Sequence, residues 1–226
     1  MTTPHWNIFE NPGEVAEAAA EIIGEMARHA IERRGLFSLV LAGGTSPAAA
    51  YRLLAEQRHD WERWEFFFGD ERCLPRFHPE RNSFMARETL FERVPVEAHQ
   101  VHEIPAELGP EEGAEKYESL VRNSRPFDLV LLGLGEDGHT ASLFPGHEHP
   151  AARLVVPVHE APKPPPERVS LNYGALASCR GLLFLVTGES KRQALADWRR
   201  GKSIPASRVQ PSFAPEVLVD EAAWGE

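Results

Sequence analysis

The chain has 226 residues and a formal net charge of -10, and its 42% hydrophobic and 26% charged residues are ordinary for a water-soluble globular protein. The negative charge disfavours nucleic acid and anionic membranes as partners, and no apolar run approaches the roughly 20 residues that span a bilayer. Two cysteines, Cys73 and Cys179, cannot form a disulfide framework, and the first residues lack the basic and apolar parts of a secretion signal. We therefore expect a cytoplasmic protein.

Helical and strand patterns follow one another along the chain. Apolar residues at a spacing of three and four indicate amphipathic helices, and short unbroken apolar runs indicate buried strands. In chain order, the predicted elements are helix 12–34, strand 36–42, helix 48–56, strand 64–68, helix 83–92, helix 110–123, strand 129–132, strands 154–158 and 169–172, strand 182–186, helix 190–198 and strand 216–219.

The alternation of these elements is typical of a mostly parallel sheet that is covered by helices on both faces. No internal repeat is visible, and the proline-rich stretch 161–166 is too short to link two domains. We therefore predict a single α/β domain over residues 1–226, with 161–166 as a rigid surface loop.

The first candidate site is the turn of Gly43, Gly44, Thr45 and Ser46, which lies between a predicted strand and a predicted helix. Free backbone N–H groups and the positive end of the helix dipole would favour phosphate there. The segment alone is explained better by an ordinary turn, with Ser46 as the N-cap and Pro47 in the first helical position. A serine nucleophile elbow is excluded, because Pro47 has no N–H for an oxyanion hole.

Charged residues stand at the ends of other predicted strands. Asp70, Glu71 and Arg72 follow strand 64–68, at the kind of position where an α/β sheet meets its ligand. Arg72 could hold an oxyanion and Asp70 could orient an imidazole or a hydroxyl, whereas the alternative is a solvated loop with an internal ion pair. Later in the chain, Arg168 begins a strand and Lys191 precedes a helix, and each could be a phosphate ligand or a surface charge.

The most distinctive stretch is FDLVLLGLGEDGHTASLFPG, residues 127–146, in which a buried strand ends in a glycine-rich turn. Its glycines fit the G-x-G-x-x-G pattern of dinucleotide binding. Two features exclude that interpretation. Glu136 and Asp137 would repel a pyrophosphate, and Pro145 and Pro150 interrupt the crossover helix that the motif needs.

His139 follows this turn at the predicted N-terminus of a helix. The helix dipole disfavours a protonated ring there, and a neutral imidazole is what a general base needs. The alternative is a capping or loop histidine. A zinc site with His147 and His149 is disfavoured, because these two lack the i, i+4 spacing of a helical pair, and we expect no metal.

Together these motifs resemble those of the 6-phosphogluconolactonases. LAGGTSPAAAYRLL, FFFGDERCLP, FDLVLLGLGEDGHTASLFPG, PPERVSLN and LVTGESKRQAL stand in the order and spacing typical of that family, over residues 11–219. The resemblance implies a three-layer α/β/α Rossmann-like domain, shared with glucosamine-6-phosphate deaminases and ribose-5-phosphate isomerases. One departure is Arg81-Asn82-Ser83, where many members have Asp-Ser-Asn, and these three residues are given no role.

The resemblance also implies the residues of the site. The catalytic residues would be His139, Asp70 and Arg72. The substrate-binding and phosphate-binding residues would be Gly43, Gly44, Thr45, Ser46, Arg168 and Lys191.

The implied reaction is hydrolysis of 6-phospho-D-glucono-1,5-lactone in the pentose phosphate pathway. His139 would take a proton from water, Arg72 would stabilise the oxyanion, and Asp70 would orient His139 or a substrate hydroxyl. No cofactor, metal or nucleotide is expected, because a lactone is already an activated ester. We expect the small sugar-phosphate lactone as the only partner, with the protein a monomer or small homo-oligomer.

Two other functions remain open, a glucosamine-6-phosphate deaminase or other sugar-phosphate isomerase, and a non-catalytic sugar-phosphate-binding protein. The deaminases typically carry DGHIAFNEP, with a glutamate that works with the histidine, whereas residues 137–145 here read DGHTASLFP. Deaminases usually have tyrosine at the position of Arg72. Both differences favour the lactonase.

Overall fold

The structure is a computed structural model that describes residues 3–225, and within this range it contains ten strands and eight α-helices. The strands are β1 His5–Phe9, β2 Phe37–Leu41, β3 Trp64–Phe68, β4 Asp70–Arg72, β5 Val101–His102, β6 Leu129–Gly133, β7 Val155–Val158, β8 Arg168–Leu171, β9 Leu182–Val186 and β10 Glu216–Asp220. The helices are α1 Pro12–Arg34, α2 Thr45–Ala55, α3 Asn82–Ala86, α4 Pro110–Ser124, α5 Tyr173–Leu176, α6 Arg192–Arg199, α7 Pro205–Arg208 and α8 Glu221–Trp224. A π-helical turn, Arg87–Phe91, continues α3.

Seven parallel strands form the larger sheet, in the order β1-β10-β9-β6-β2-β3-β5. The chain runs outward from β2 through β3 to β5, and then returns to place β6 on the other side of β2. The connections after β2 and β6 therefore leave the sheet in opposite directions, which opens a crevice at their carboxyl ends. The predicted α/β fold with a mostly parallel sheet is confirmed.

A second, antiparallel sheet was not predicted, and its strand order is β4-β8-β7. The strands predicted at 154–158 and 169–172 exist, but they belong to this sheet. Only residues 159–167 join β7 to β8, and a parallel pair needs a longer crossover. The charged segment Asp70–Arg72 is strand β4, which pairs with β8, so the alternative of a solvated loop is wrong.

The long helix α1 begins and ends as its sequence predicts. The side chain of Asn11 caps it by accepting hydrogen bonds from two backbone N–H groups, and Gly35 ends it in the left-handed conformation. α1 packs on α2 and on the strands β2 and β10, whereas α4 packs on β7 and β8. None of the helices within residues 3–225 is both long and apolar enough to cross a membrane.

Helix α2 begins earlier than predicted. Its first residue is Thr45 and its N-cap is Gly44, so the prediction of Ser46 as the N-cap is wrong. The Ser46 hydroxyl lies 2.6 Å from the hydroxyl of Thr187, which follows β9, and α2 has no side-chain cap. Pro47 is the third residue of α2 and not the first as predicted, but it still lies in the first turn, where its missing N–H costs no hydrogen bond.

Two buried tyrosines bind the backbone where β2 and β3 end. The Tyr51 hydroxyl accepts a hydrogen bond from the N–H of Ala42 at 2.9 Å and donates one to the Ala42 carbonyl at 3.0 Å. Tyr117 makes the same two contacts with Phe68, at 2.9 and 3.3 Å. Burial raises the pKa of both phenols, so each remains a donor. The strand ends beside the crevice therefore keep their polar groups paired.

We expect Tyr51→Phe to lower the free energy of unfolding by about 1–3 kcal/mol, because the backbone groups of Ala42 lose a buried partner. Urea denaturation followed by circular dichroism measures this change. Tyr173→Phe is the matched control, since its buried hydroxyl has no partner among the described residues, and it should change the stability by less than about 0.5 kcal/mol. Equal losses in the two variants would contradict the assignment.

Candidate active site

A cleft of about 320 Å³ opens at the carboxyl ends of β2, β3, β6 and β9, and its volume suits a small molecule. The cleft brings together all of the site residues that were inferred from the sequence. These are His139, Asp70, Arg72, Gly43, Gly44, Thr45, Ser46, Arg168 and Lys191. Among residues 3–225, no group of three or more His, Cys, Asp or Glu side chains is arranged to hold a metal ion.

Strand β4 supplies two of the charged residues. Successive side chains of a strand point to opposite faces, so Asp70 and Arg72 line the cleft while Glu71 points away from it. The buried Glu71 carboxylate accepts a hydrogen bond from the N–H of Asn82 at 2.7 Å and lies 3.4 Å from the guanidinium of Arg81. Arg81, which was given no role, therefore helps to hold β4 in place through Glu71.

Asp70 does not orient His139, contrary to one of the two roles expected for it. Its Oδ1 accepts a hydrogen bond from Nδ2 of Asn82 at 3.0 Å, and its Oδ2 accepts one from the Ser142 hydroxyl at 2.5 Å. The carboxylate is buried and held at both oxygens. Asp70 is therefore fixed at the wall of the cleft, where it can still accept a hydrogen bond from a ligand.

Asp137 orients His139 instead. Its Oδ1 lies 2.5 Å from Nδ1 of the imidazole and also accepts the backbone N–H of His139 at 3.1 Å. An ionised carboxylate can only accept, so Nδ1 carries the proton and Nε2 is left as the acceptor. From the sequence, Asp137 was expected only to oppose the binding of a pyrophosphate. The signal for its role was its place two residues before the histidine.

The pKa of His139 is lowered from its ordinary value, but not by a helix dipole. No helix follows His139, because Thr140 and Leu143 pair in a short bridge instead. Burial of the ring is the main cause of the lower pKa, and the charges of Asp137 and Asp70 oppose it. The expected neutral imidazole is therefore favoured for a different reason than the one predicted.

Close packing of the glycine-rich turn sets the position of the ring. A Cβ on Gly135 would lie 2.0 Å from Nδ1 of His139, so only glycine leaves room for the imidazole. Gly138 adopts a φ of +87°, and its N–H donates to the carbonyl of Gly135 at 3.0 Å. On its other side the ring packs against Phe144, with the centroids 4.7 Å apart.

Positive groups face the cleft from two sides. Thr45 and Ser46 open α2, which has 11 residues and no side-chain cap, so their N–H groups and the helix dipole can act on an anion. Lys191 lies half-buried in the turn that follows β9. Burial lowers its pKa and the nearby carboxylate of Glu136 opposes that shift. This end of the cleft is suited to a phosphate group.

Two arginines of the cleft bind backbone carbonyls. Arg72 donates from Nη1 to the carbonyl of Glu80, and its Nη2 makes no hydrogen bond with the described residues. Arg168 is 5% exposed and donates to carbonyls of the loop between β7 and β8. Arg72 therefore has a donor to offer a ligand, whereas most donors of Arg168 are already used.

Three further polar side chains line the cleft that were not selected from the sequence, those of Asn82, Thr187 and Lys163. Lys163 lies on the proline-rich loop, and its Nζ is 3.2 Å from a carboxylate oxygen of Glu136. A lysine within a run of prolines gave no signal of its own, because that stretch predicted only a rigid surface loop. Its place in the cleft depends on how β7 and β8 pair.

The chain matches, over residues 10–218, the family model described as "Glucosamine-6-phosphate isomerases/6-phosphogluconolactonase". It is 38% identical to a 6-phosphogluconolactonase of Streptomyces coelicolor, covering 98% of this chain and 94% of that protein. A rat 6-phosphogluconolactonase is 34% identical, with coverages of 96% and 91%. The crystal structure of a Thermotoga maritima 6-phosphogluconolactonase aligns with a TM-score of 0.89 at 31% identity, covering 97% of this chain and all of that one. The chain therefore belongs to the glucosamine-6-phosphate isomerase/6-phosphogluconolactonase family.

Proposed function

We propose that the protein hydrolyses 6-phospho-D-glucono-1,5-lactone to 6-phospho-D-gluconate, as a 6-phosphogluconolactonase of the pentose phosphate pathway. The observation that carries the proposal is one cleft that holds both a histidine with a free ring nitrogen and a group of positive charges, which we assign as the base and the anion site. The base is His139, with its Nδ1 bound to Asp137. The anion site is formed by the start of α2 and Lys191. The relatives named 6-phosphogluconolactonase support the same reaction.

The reaction begins with water at Nε2 of His139. The imidazole takes a proton while the water oxygen bonds to C1 of the lactone, and the carbonyl oxygen becomes an oxyanion. Nη2 of Arg72 donates to that oxyanion. The intermediate then breaks the bond between C1 and the ring oxygen, and the imidazolium returns its proton to that oxygen. The carboxylic acid product finally loses its own proton to solvent.

The remaining residues hold the substrate. Lys191 and the N–H groups of Thr45 and Ser46 bind the phosphate, next to the turn of Gly43 and Gly44. Asp70 accepts a hydrogen bond from a sugar hydroxyl, since both of its oxygens are held in place and are acceptors only. Arg168 contributes to the phosphate end through the loop it binds. These contacts place C1 at the base.

The cellular compartment, the number of domains and the oligomeric state stay predictions from the sequence. We propose that the chain works in the cytoplasm as one domain, either as a monomer or as a small homo-oligomer. Gel filtration with light scattering would determine the assembly. Fractionation of cells that express the chain would determine its compartment.

We expect His139→Ala to lower the rate of lactone hydrolysis about 10²- to 10⁴-fold, because the variant loses its general base. The lactone is generated in place, 6-phosphogluconate is measured, and the spontaneous opening of the ring is subtracted. His99→Ala is the matched control, since this histidine is 70% exposed and does not line the cleft.

Full activity in His139→Ala would keep the reaction but remove His139 from it. If the wild type does not accelerate hydrolysis of the lactone, the proposed lactonase function is wrong. Ammonia release from glucosamine 6-phosphate would then indicate the deaminase, and binding of 6-phosphogluconate without turnover would indicate a binding protein.

The activity should depend on pH through His139. Because the base must be neutral and burial lowers its pKa, kcat/KM should be constant at neutral pH and should fall only below the ordinary histidine pKa. Asp137→Asn removes a carboxylate that raises this pKa, so the fall should move to still lower pH. The plateau should drop about 10²- to 10⁴-fold, because the imidazole loses the partner that fixes its tautomer. A fall that moves to higher pH would contradict the pairing.

We expect Lys191→Gln to raise KM about tenfold with little change in kcat, because the phosphate is bound alike in the ground and transition states. Initial rates over a range of lactone concentrations separate the two constants. Lys202→Gln is the control, since Lys202 is 60% exposed and pairs with Asp197 outside the cleft. A loss in kcat alone would count against a phosphate-binding role.

A further inference from the structure

The loop between β7 and β8 cannot satisfy its own carbonyl groups. Residues 161–166 contain four prolines, so only Ala161 and Lys163 have a backbone N–H. The N–H of Ala161 donates to the carbonyl of Pro166 at 3.0 Å and closes the base of the loop. The carbonyls between them therefore take their donors from outside the loop, either from another part of the protein or from water.

Arg168 supplies these donors. Its Nε donates to the carbonyl of Pro165 at 3.0 Å, and the two hydrogens of Nη2 reach the carbonyls of Lys163 at 2.9 Å and Pro164 at 3.2 Å. The guanidinium carbon lies 5.6 Å from the centre of the Phe144 ring, which covers it. Three of the five N–H donors thus hold three consecutive carbonyls of one loop.

The residue held most directly is Lys163, the one cation within residues 161–166. Its side chain lines the cleft together with Lys191. The positive charge of Lys163 also contributes to the lowered pKa of Lys191, although burial is the larger cause. Both cations act on the carboxylate of Glu136, which lies 3.2 Å from Nζ of Lys163. Two ammonium groups beside one exchangeable carboxylate suit a ligand that carries two negative charges.

We propose that Arg168 is a positioning residue, which holds the proline-rich loop so that Lys163 binds the substrate phosphate together with Lys191. The proposal rests on the proposed lactonase function and adds to it the residues that select a phosphorylated sugar. Arg168 acts on the phosphate through Lys163, because three of its five N–H donors are held by the loop and Nη1 directs a fourth to the Ser142 hydroxyl at 3.5 Å. The phosphate displaces Glu136 from Lys163 when it binds.

The test compares Lys163→Gln, Arg168→Lys and the double variant with the wild type. Rates are measured with 6-phosphogluconolactone and with unphosphorylated glucono-1,5-lactone, and the affinity for inorganic phosphate is measured by calorimetry. Arg168→Lys keeps the charge, but an ammonium group lacks the planar set of donors with which the guanidinium holds three carbonyls. Lys116→Gln is the control, since Lys116 lies on α4, pairs with Glu112 and does not line the cleft.

Lys163→Gln should raise KM for the phosphorylated lactone about tenfold, with little change in kcat. Arg168→Lys should raise this KM by a similar factor. The KM of the double variant should be no higher than that of Lys163→Gln, because both changes remove the same contact between Lys163 and the phosphate. Both variants should lower kcat/KM for the phosphorylated lactone by a larger factor than kcat/KM for the unphosphorylated lactone.

A normal KM in Arg168→Lys, or additive effects in the double variant, would show that Arg168 does not act through Lys163. If Arg168→Lys does not fold, Pro162→Gly loosens the same loop at an exposed position and must raise KM in the same way. A normal KM in Lys163→Gln overturns the proposal whatever Arg168→Lys does. If the wild type hydrolyses no lactone, the affinity for inorganic phosphate alone tests the proposed phosphate site. Its loss in Lys163→Gln would support the phosphate site, and its retention would overturn it.

Discussion

Parallel pairing of seven strands places every carboxyl end at one edge of the larger sheet, and the reversal of strand order between β2 and β6 opens that edge. The turn of Gly43 and Gly44 follows β2, and the turn that carries His139 follows β6. The two turns therefore meet across a single crevice although they are far apart in the chain. This topology brings His139 close to the positive start of α2.

The smaller sheet completes the cleft, because it lies beside the edge that the larger sheet leaves open. Strand β4 brings Asp70 and Arg72 to the wall, and β8 begins with Arg168 directly opposite Arg72. A hairpin of this kind has no crossover helix, so its loop is free to reach the site. Asp70, the cations and His139 therefore come from four separate segments of the chain, and none of these segments forms the cleft alone.

Much of the fold could be predicted from the sequence, because central parallel strands are unbroken apolar runs and long helices carry clear periodicity. β1 was missed because His5–Phe9 mixes polar and apolar residues at the edge of the sheet, and β5 because it has only two residues. The candidate residues were also predicted, but their contacts were not. The bond from Asp137 to His139 and the contacts of Arg168 depend on loop conformations that no local pattern encodes.

The glycines of the turn after β6 have the spacing of a dinucleotide fingerprint, yet the second and third of them are required by contacts within the protein. Gly135 leaves room for the imidazole of His139, and Gly138 turns the chain where a Cβ would lie 2.9 Å from Ile204. A nearby protein side chain and a bound pyrophosphate can therefore each require glycine at the same positions of such a turn. A motif search that reads only glycine spacing would place a nucleotide here, whereas one that also weighs the two acids between the glycines would not.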